Sequence, residues 1–596
     1  MLDAVALPAI ADPSALNETE RRMIEAVSMD APWELVELFS RTPRWKPDDV
    51  NASADMIVDR LRALGVPVEV HQPSIFLSIP HDASVEVNGA RLRAKPPSSS
   101  ASIPNGLTAE IVYLPANLKA LRSYAKSIAE LFGRPESELE AVAARVKGRI
   151  LVTEGFGNPA LSRIVEDWGG VGLIAINPGV DIHWGTCTTV WGTPDLDDLP
   201  RKPKIPVVSV NQEAGKALKA AAAAAGKATI RTHLEEGWFP QKIPVATIPG
   251  ASEPDKFVLL HGHYDSWDVG VGDNATGDAT MLELARVFWA NRGLLKRSLR
   301  IAWWPGHSTG RYAGSTWFAD QFAIDLDENC VAQVDCDSPG CRWATSFHQT
   351  TTMSETAAHV GAAITAIEGG KTFATKRPNR AGDYSFNNIG ISSYYMLSST
   401  MPDDLRAEKN YYDVSGCGGN IAWHTENDTL EIADKARLLT DMRIYALSVL
   451  RHLNATVLPA DWRETVKEFA ATVDRYQTAS NGLADLADAK AAVDALSKSL
   501  DAFYARVSSG AIEPAVANEA IRQLSRILVP INFTREPRFR HDPAYTIPPL
   551  PTIAIAEELP HLSENERGFG QTQLKRGLNR LIAALRQARR LADSAA

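Results

Sequence analysis

The sequence predicts an α/β protein, and three observations carry that prediction. From about residue 240, short apolar runs alternate with helical stretches, the pattern of strands joined by crossover helices. One of those runs, residues 257–260 (Phe-Val-Leu-Leu), is continuously apolar, as a strand buried on both faces must be. After about residue 460 the chain turns alanine-rich with heptad-like spacing, the texture of packed helices.

Composition narrows the function classes. A chain of 596 residues is too long for one core, so several domains are expected. The net charge of -10 and the absence of a long Lys/Arg run argue against a nucleic-acid partner. Five cysteines without a CxxC pair fit reduced thiols in the cytoplasm. The first residues show neither a basic start nor a sustained apolar stretch, so no secretion signal is expected. No run approaches the roughly 18 apolar residues of a membrane span, and no membrane partner is expected.

Taken in order, Asn17 followed by Glu20 reads as a capping box that opens a helix. Helices are predicted over 20–28 and 32–41, with another running from Asn51 to near Gly65. Residues 68–71 and 75–79 read as strands, and Asn88-Gly89 as a hairpin turn. Strands at 109–114, 147–153, 171–177 and 205–210, then an alanine-rich helix over 213–225, give residues 105–235 a texture of their own. Nothing in that segment looks catalytic, and it reads as a lid or interaction module. Strands follow at 298–304 and 330–334, with a helix opening at Gly314. Residues 423–429 are expected to open a helix that runs to about Leu453. Residues 535–550 interrupt the helical tail with an extended segment, and 576–592 form a last helix.

The chemistry gathers where strands end. Directly after 257–260 comes a polar burst of His261, His263, Asp265, Asp268 and Asp273. Open α/β sheets place their sites just past the carboxyl ends of strands. His263 and Asp273 offer the imidazole and carboxylate that suit zinc, and Asp265 is placed to orient the His263 ring. Two further strands lead to His307 and Asp337, and a loop supplies His424. A carboxylate such as Asp273 can bridge two cations, which would polarise an amide carbonyl and activate a water.

In these motifs the chain resembles the zinc peptidases that include glutamate carboxypeptidase and the transferrin receptor, within the clan of co-catalytic zinc aminopeptidases. HGHYDS matches the family's His-x-Asp at His263 and Asp265. Asp273 in GVGDNATG falls where the bridging aspartate belongs, Asp337 in VDCDS where the first zinc's aspartate belongs, and His424 in WHTEND on the second zinc's histidine. The resemblance implies a mixed sheet flanked by helices. It implies a peptidase-like part at 1–104, an inserted β-rich protease-associated domain at 105–235, the metal-binding part at 236–458, and a helical dimerisation-like domain at 459–596. A homodimer is therefore expected. Zinc or another divalent metal is the implied cofactor, as one or two ions.

One departure sets the chain apart. The family carries two adjacent glutamates before a Gly-Ser helix start, one a general base and one a zinc ligand. Here the stretch reads WWPGHSTGRYAGSTW, with His307 and Ser308 in their places and no carboxylate between Trp303 and Asp320. Three readings stay open. His307 is the base, since a neutral imidazole with a pKa near ~6.5 accepts protons near neutrality. Alternatively His307 replaces the missing ligand, and the metal alone or Glu426 activates the water. In the third, the protein is a silent dimeric binding scaffold or a metal-dependent lyase. The leading expectation is hydrolysis of an amide bond in a small peptide or N-acyl amino acid. Arg311 and Arg380 are candidates to hold a substrate carboxylate, Tyr384 to donate to an oxyanion, and Asp428 to support His424.

Overall fold

A computed structural model describes residues 8–118, 131–133, 136–370, 373–378, 384–394 and 399–595. Its strands in chain order are β1 (Val68–His71), β2 (Ser74–Val87), β3 (Ala90–Ala94) and β4 (Ile103–Tyr113). Next come β5 (Ile150–Glu154), β6 (Gly172–Ile176), β7 (Val207–Val210) and β8 (Lys227–Pro240). β9 (Ile243–Ile248), β10 (Glu253–His263), β11 (Arg297–Trp304) and β12 (Cys330–Asp335) complete the two large sheets.

The sheet that carries the chemistry has the order β1-β9-β11-β10-β12. β10 is central and runs parallel to β11 and β12, while β9 and β1 add an antiparallel edge. The sheet is therefore mixed. Residues 257–260 are wholly buried, because the helices Thr276–Ala290 and Lys435–Asn454 pack on β10. Burial of such apolar runs removes about 25 cal/mol of unfavourable hydration per Å², which outweighs any local preference of the strand.

The second sheet has the order β3-β2-β8-β4-β5-β6-β7. Its first half is antiparallel and built on the long β2 and β8. Its second half, β4 to β7, is parallel. The helices Glu136–Val146, Pro159–Asp167 and Gln212–Ala223 belong to this part of the chain, so it is an α/β layer as well as a strand-rich one. The hairpin between β2 and β3 turns at Asn88 and Gly89, both at positive φ, as that dipeptide signals.

The capping box at Asn17 and Glu20 forms as expected. The helix expected to open at 423–429 does not; it starts at Lys435, capped by Asp434. The tail consists of the helices Trp462–Ala479, Ala487–Ser508, Pro514–Phe533 and Glu564–Ser594. Their buried residues, from Trp462 to Leu585, share one continuous core with Leu260 and Leu447. The tail is thus packed into the site-bearing half of the molecule.

Candidate metal centre

Three neighbouring strand ends deliver the centre. His263 lies level with Trp304 on β11, and His261 level with Asp335 on β12. The loops leaving these ends open over one small area. His263 closes β10, Asp273 follows in the turn Val271–Ala275, His307 stands three residues past β11, and Asp337 two past β12.

The four residues with ligand chemistry meet. His263 Nε2 is 2.9 Å from Asp273 Oδ1 and 3.8 Å from Asp337 Oδ2. His424 Nε2 is 3.1 Å from Asp273 Oδ2. One carboxylate therefore has an imidazole on each oxygen. The far nitrogens decide what these contacts mean. His263 Nδ1 sits 2.7 Å from the Asp265 carbonyl, and His424 Nδ1 sits 3.1 Å from the Trp184 carbonyl. A carbonyl only accepts, so each Nδ1 carries a proton and each Nε2 turns a lone pair toward a carboxylate oxygen. His263 Nε2 and Asp273 Oδ1 are buried and, among the described residues, make no hydrogen bond. A lone pair facing a carboxylate oxygen in a dry site requires a proton or a cation.

The electrostatics say the same. Burial disfavours charge on His263, yet Asp273 and Asp337 more than offset it and raise its pKa well above the ordinary value. Burial likewise pushes the Asp273 carboxyl up, and the two facing imidazoles hold it well below the usual carboxylate range.

Asp265 does not act as expected. Its carboxylate is 3.9 Å from His263 Nδ1, and its backbone carbonyl orients the ring instead. The carboxylate accepts the backbone N–H groups of His307 at 3.1 Å and Ser308 at 2.9 Å, so it fixes the turn that carries His307. Asp428 also differs from expectation. It accepts from the N–H of Gly272 at 2.7 Å and of Asp273 at 3.0 Å, and so supports the Asp273 loop rather than His424. Glu426 is ion-paired to Arg93 and Lys95, which engage both of its carboxylate oxygens.

His307 lies over His263, ring centroids 3.7 Å apart and planes 17° from parallel. One ring nitrogen of His307 shares a cluster with His263 and Asp337 whose donor atoms all lie within 4.8 Å of one another. A metal lies in the plane of the imidazole that binds it. Two nearly parallel planes a stacking distance apart share no point within bonding reach of both rings. With this packing, His263 and His307 cannot bind the same ion. Tyr312 meets His307 edge-on at 4.5 Å and stacks on Trp191 at 4.0 Å.

The substrate candidates fall into three groups. Arg311 is buried, donates to the Tyr312 hydroxyl at 3.3 Å and lies over Trp191. Tyr384 packs edge-on to Trp191 and Phe533, one layer further out. Arg380 lies outside the described residues. In the loop 416–419, Cys417 and Gly418 are buried, and the Cys417 N–H donates to Ser338 Oγ at 3.0 Å.

Sequence reasoning missed two supports. Arg44, fully buried, donates to the carbonyls of Tyr264 at 2.8 Å, Val269 at 2.9 Å and Gly270 at 3.0 Å, tying the loop that leads to Asp273. The second is the segment 181–184, which belongs to the stretch expected to hold nothing catalytic yet lies against His424.

A mixed sheet with this cluster at its central strand ends defines the class, an α/β protein of the zinc-exopeptidase fold. The model of peptidase family M28 matches residues 245–448, the part of the chain that carries the centre. Aminopeptidase NAALADL1 of Mus musculus is 37% identical over 98 residues, 15% of this chain and 12% of that protein. Carboxypeptidase Q of Mus musculus is 24% identical over 234 residues, 37% of this chain and 45% of that protein. The chain thus spans less than half the length of these curated relatives. Two solved structures share the fold. A peptidase M28 precursor from Shewanella amazonensis has a TM-score of 0.55 at 17% identity, covering 74% of this chain and 97% of that one. An aminopeptidase from Aneurinibacillus has a TM-score of 0.51 at 19% identity, covering 72% and 95%.

Proposed function

We propose that the chain is a metal-dependent hydrolase of amide bonds in short peptides or N-acyl amino acids. One observation carries this reading: two imidazoles, each with Nδ1 committed to a carbonyl, aim bare Nε2 atoms at the two oxygens of Asp273. That arrangement suits a cation. His263, Asp273 and Asp337 would hold one divalent ion through one nitrogen and two carboxylates, a donor set that suits zinc and leaves a position open. His424 and the other Asp273 oxygen offer only two donors to a second ion, because Ser308 stands where a carboxylate would complete it. The second position is accordingly the weaker one.

When bound, the ion supplies Lewis acidity and lowers the pKa of water. The remaining work falls to the protein. His307, excluded from the coordination of His263 by its stacking, accepts the proton of the attacking water at a ring nitrogen. Asp265 holds the His307 turn through two N–H bonds, and Tyr312 limits the ring's rotation from its edge. His307 then returns the proton to the leaving nitrogen.

The test is metal analysis of the purified protein with turnover of an amide library before and after chelation. Near-stoichiometric zinc and turnover restored by added zinc are expected. A metal-free protein indifferent to chelator overturns the reading. Bound metal without turnover of any amide would instead favour a silent scaffold.

A further inference from the structure

The loop between β6 and β7 of the second sheet reaches the centre through four residues, 181–184. The Trp184 N–H donates to the His424 carbonyl at 2.8 Å, and His424 Nδ1 donates back to the Trp184 carbonyl at 3.1 Å. This reciprocal pair joins residues 240 positions apart. Its neighbours are tied as well. His183, 2% exposed, donates from Nδ1 to the Trp423 carbonyl at 2.7 Å, and its Nε2 accepts from the Tyr412 hydroxyl at 2.7 Å. Asn427 Nδ2 donates to Asp181 Oδ1 at 3.0 Å. The Trp184 indole donates to Asp268 Oδ2 at 3.0 Å and stacks on Trp267, in the loop that leads to Asp273. Both sides of the centre are therefore tied to the same short segment.

His424 has reason to need such a hold. It sits at φ +57°, a conformation a non-glycine residue keeps only when its surroundings impose it. No regular element contains it: the next ones are the 3₁₀ turn Leu430–Ile432 and the helix from Lys435. The imidazole is set by its stack on Trp423 at 3.6 Å and by the Trp184 carbonyl, which also selects the tautomer with Nε2 bare.

We propose that segment 181–184, in the loop between β6 and β7, is a positioning part of the catalytic centre. It holds His424 with Nε2 against Asp273, so the centre is complete only while the insert is seated. The inference rests on the metal-dependent reading above. It turns the insert from a lid into a support that sets the metal environment.

The test uses the full chain loaded with Co²⁺ in place of zinc, read by its visible absorption and by titration of the metal-free protein. His183→Leu keeps the volume and removes the Nδ1 donor; His183→Asn keeps a donor at the Nδ1 position. Expected for His183→Leu are an altered cobalt spectrum and cobalt binding weaker by about tenfold to a hundredfold. His183→Asn is expected to stay within about threefold of the parent. Asn427→Ala, at an exposed residue, provides a second loosening should His183→Leu fail to fold, with the same direction and a smaller size. Lys219→Ala, also in the insert but paired with Glu154, serves as a control that leaves the spectrum unchanged. If the parent binds cobalt and neither His183→Leu nor Asn427→Ala changes spectrum or affinity, this inference is overturned alone. So it is if His183→Leu outperforms His183→Asn, the order that simple packing predicts. A parent that binds no cobalt overturns the metal-dependent reading and this inference together.

Discussion

The two sides of Asp273 are built in different ways. On one side, His263 closes β10 and Asp337 follows two residues past the adjacent parallel β12, so strand register brings the two close. On the other, His424 stands in irregular chain, at a positive φ, held by the loop between β6 and β7 of the second sheet. In the proposed reading the first side would offer three protein donors to an ion and the second two, with Ser308 where the resemblance implies a carboxylate. Rigid placement and a full donor set thus go together, while the side held from outside is the one whose donor set is incomplete. Under the proposed function, a centre of this kind would bind one ion firmly and leave the base role to His307.

Substitutions can break or sharpen that contrast. The largest effect belongs to the firm side: His263→Ala removes its only nitrogen donor and abolishes stoichiometric zinc, measured by elemental analysis after gel filtration. Turnover should fall to background. Next, His307→Ala lowers kcat by about 10²- to 10⁴-fold, the usual range for a lost general base, while bound zinc stays within about twofold of the parent. Zinc lost in step with activity would make His307 a ligand instead. On the weak side, Ser308→Glu supplies the absent carboxylate. It should tighten a second zinc equivalent by about tenfold or more in calorimetric titration, roughly ~1.4 kcal/mol.

Asp278 offers a smaller effect that separates folding from catalysis. It lies on the helix behind the centre with both oxygens buried and without a hydrogen-bond partner, and burial pushes its pKa up to about 8. A carboxyl whose folded pKa lies above its unfolded value binds a proton on folding. Its stability contribution is full below the unfolded pKa near 3.8 and is lost as pH rises toward 8. Asp278→Asn should therefore stabilise the fold, by on the order of 1–3 kcal/mol at pH 8 and less at pH 5, read from urea midpoints. An equal gain at both values would show that Asp278 does not titrate across this interval. The smallest effect is expected at Glu426, held by Arg93 and Lys95. Glu426→Gln should change kcat by less than about threefold, because both oxygens of that carboxylate are engaged by Arg93 and Lys95.

How much of this was legible in the sequence follows from what each part depends on. The run 257–260 and the polar residues just after it announce a buried strand with a site at its end, because burial and strand period are written locally. His263, Asp273, Asp337 and His424 could be picked from their motifs. The role of Asp265 could not, since it turns on whether a carbonyl or a carboxylate lies nearer Nδ1, a matter of a single rotamer. β8 was overlooked although Ala228, Ile230, Thr232 and Leu234 alternate inward; the charged residues between and after them mask the period. The start of the helix at Lys435 was misplaced because the polar residues of 423–429 imitate a cap while serving the centre. Arg44 and segment 181–184 carry no motif. Their importance comes from contacts across more than 200 residues, which no local pattern encodes.

The most direct measurement is an anomalous difference map at the zinc edge from crystals grown with zinc. It should show one strong peak within about 2.0–2.2 Å of His263 Nε2 and of oxygens from Asp273 and Asp337, with the His307 nitrogens beyond bonding distance. A second, weaker peak beside His424 would fit the same picture. No peak between His263 and Asp273, or an ion bound by His307 in place of His263, would contradict it.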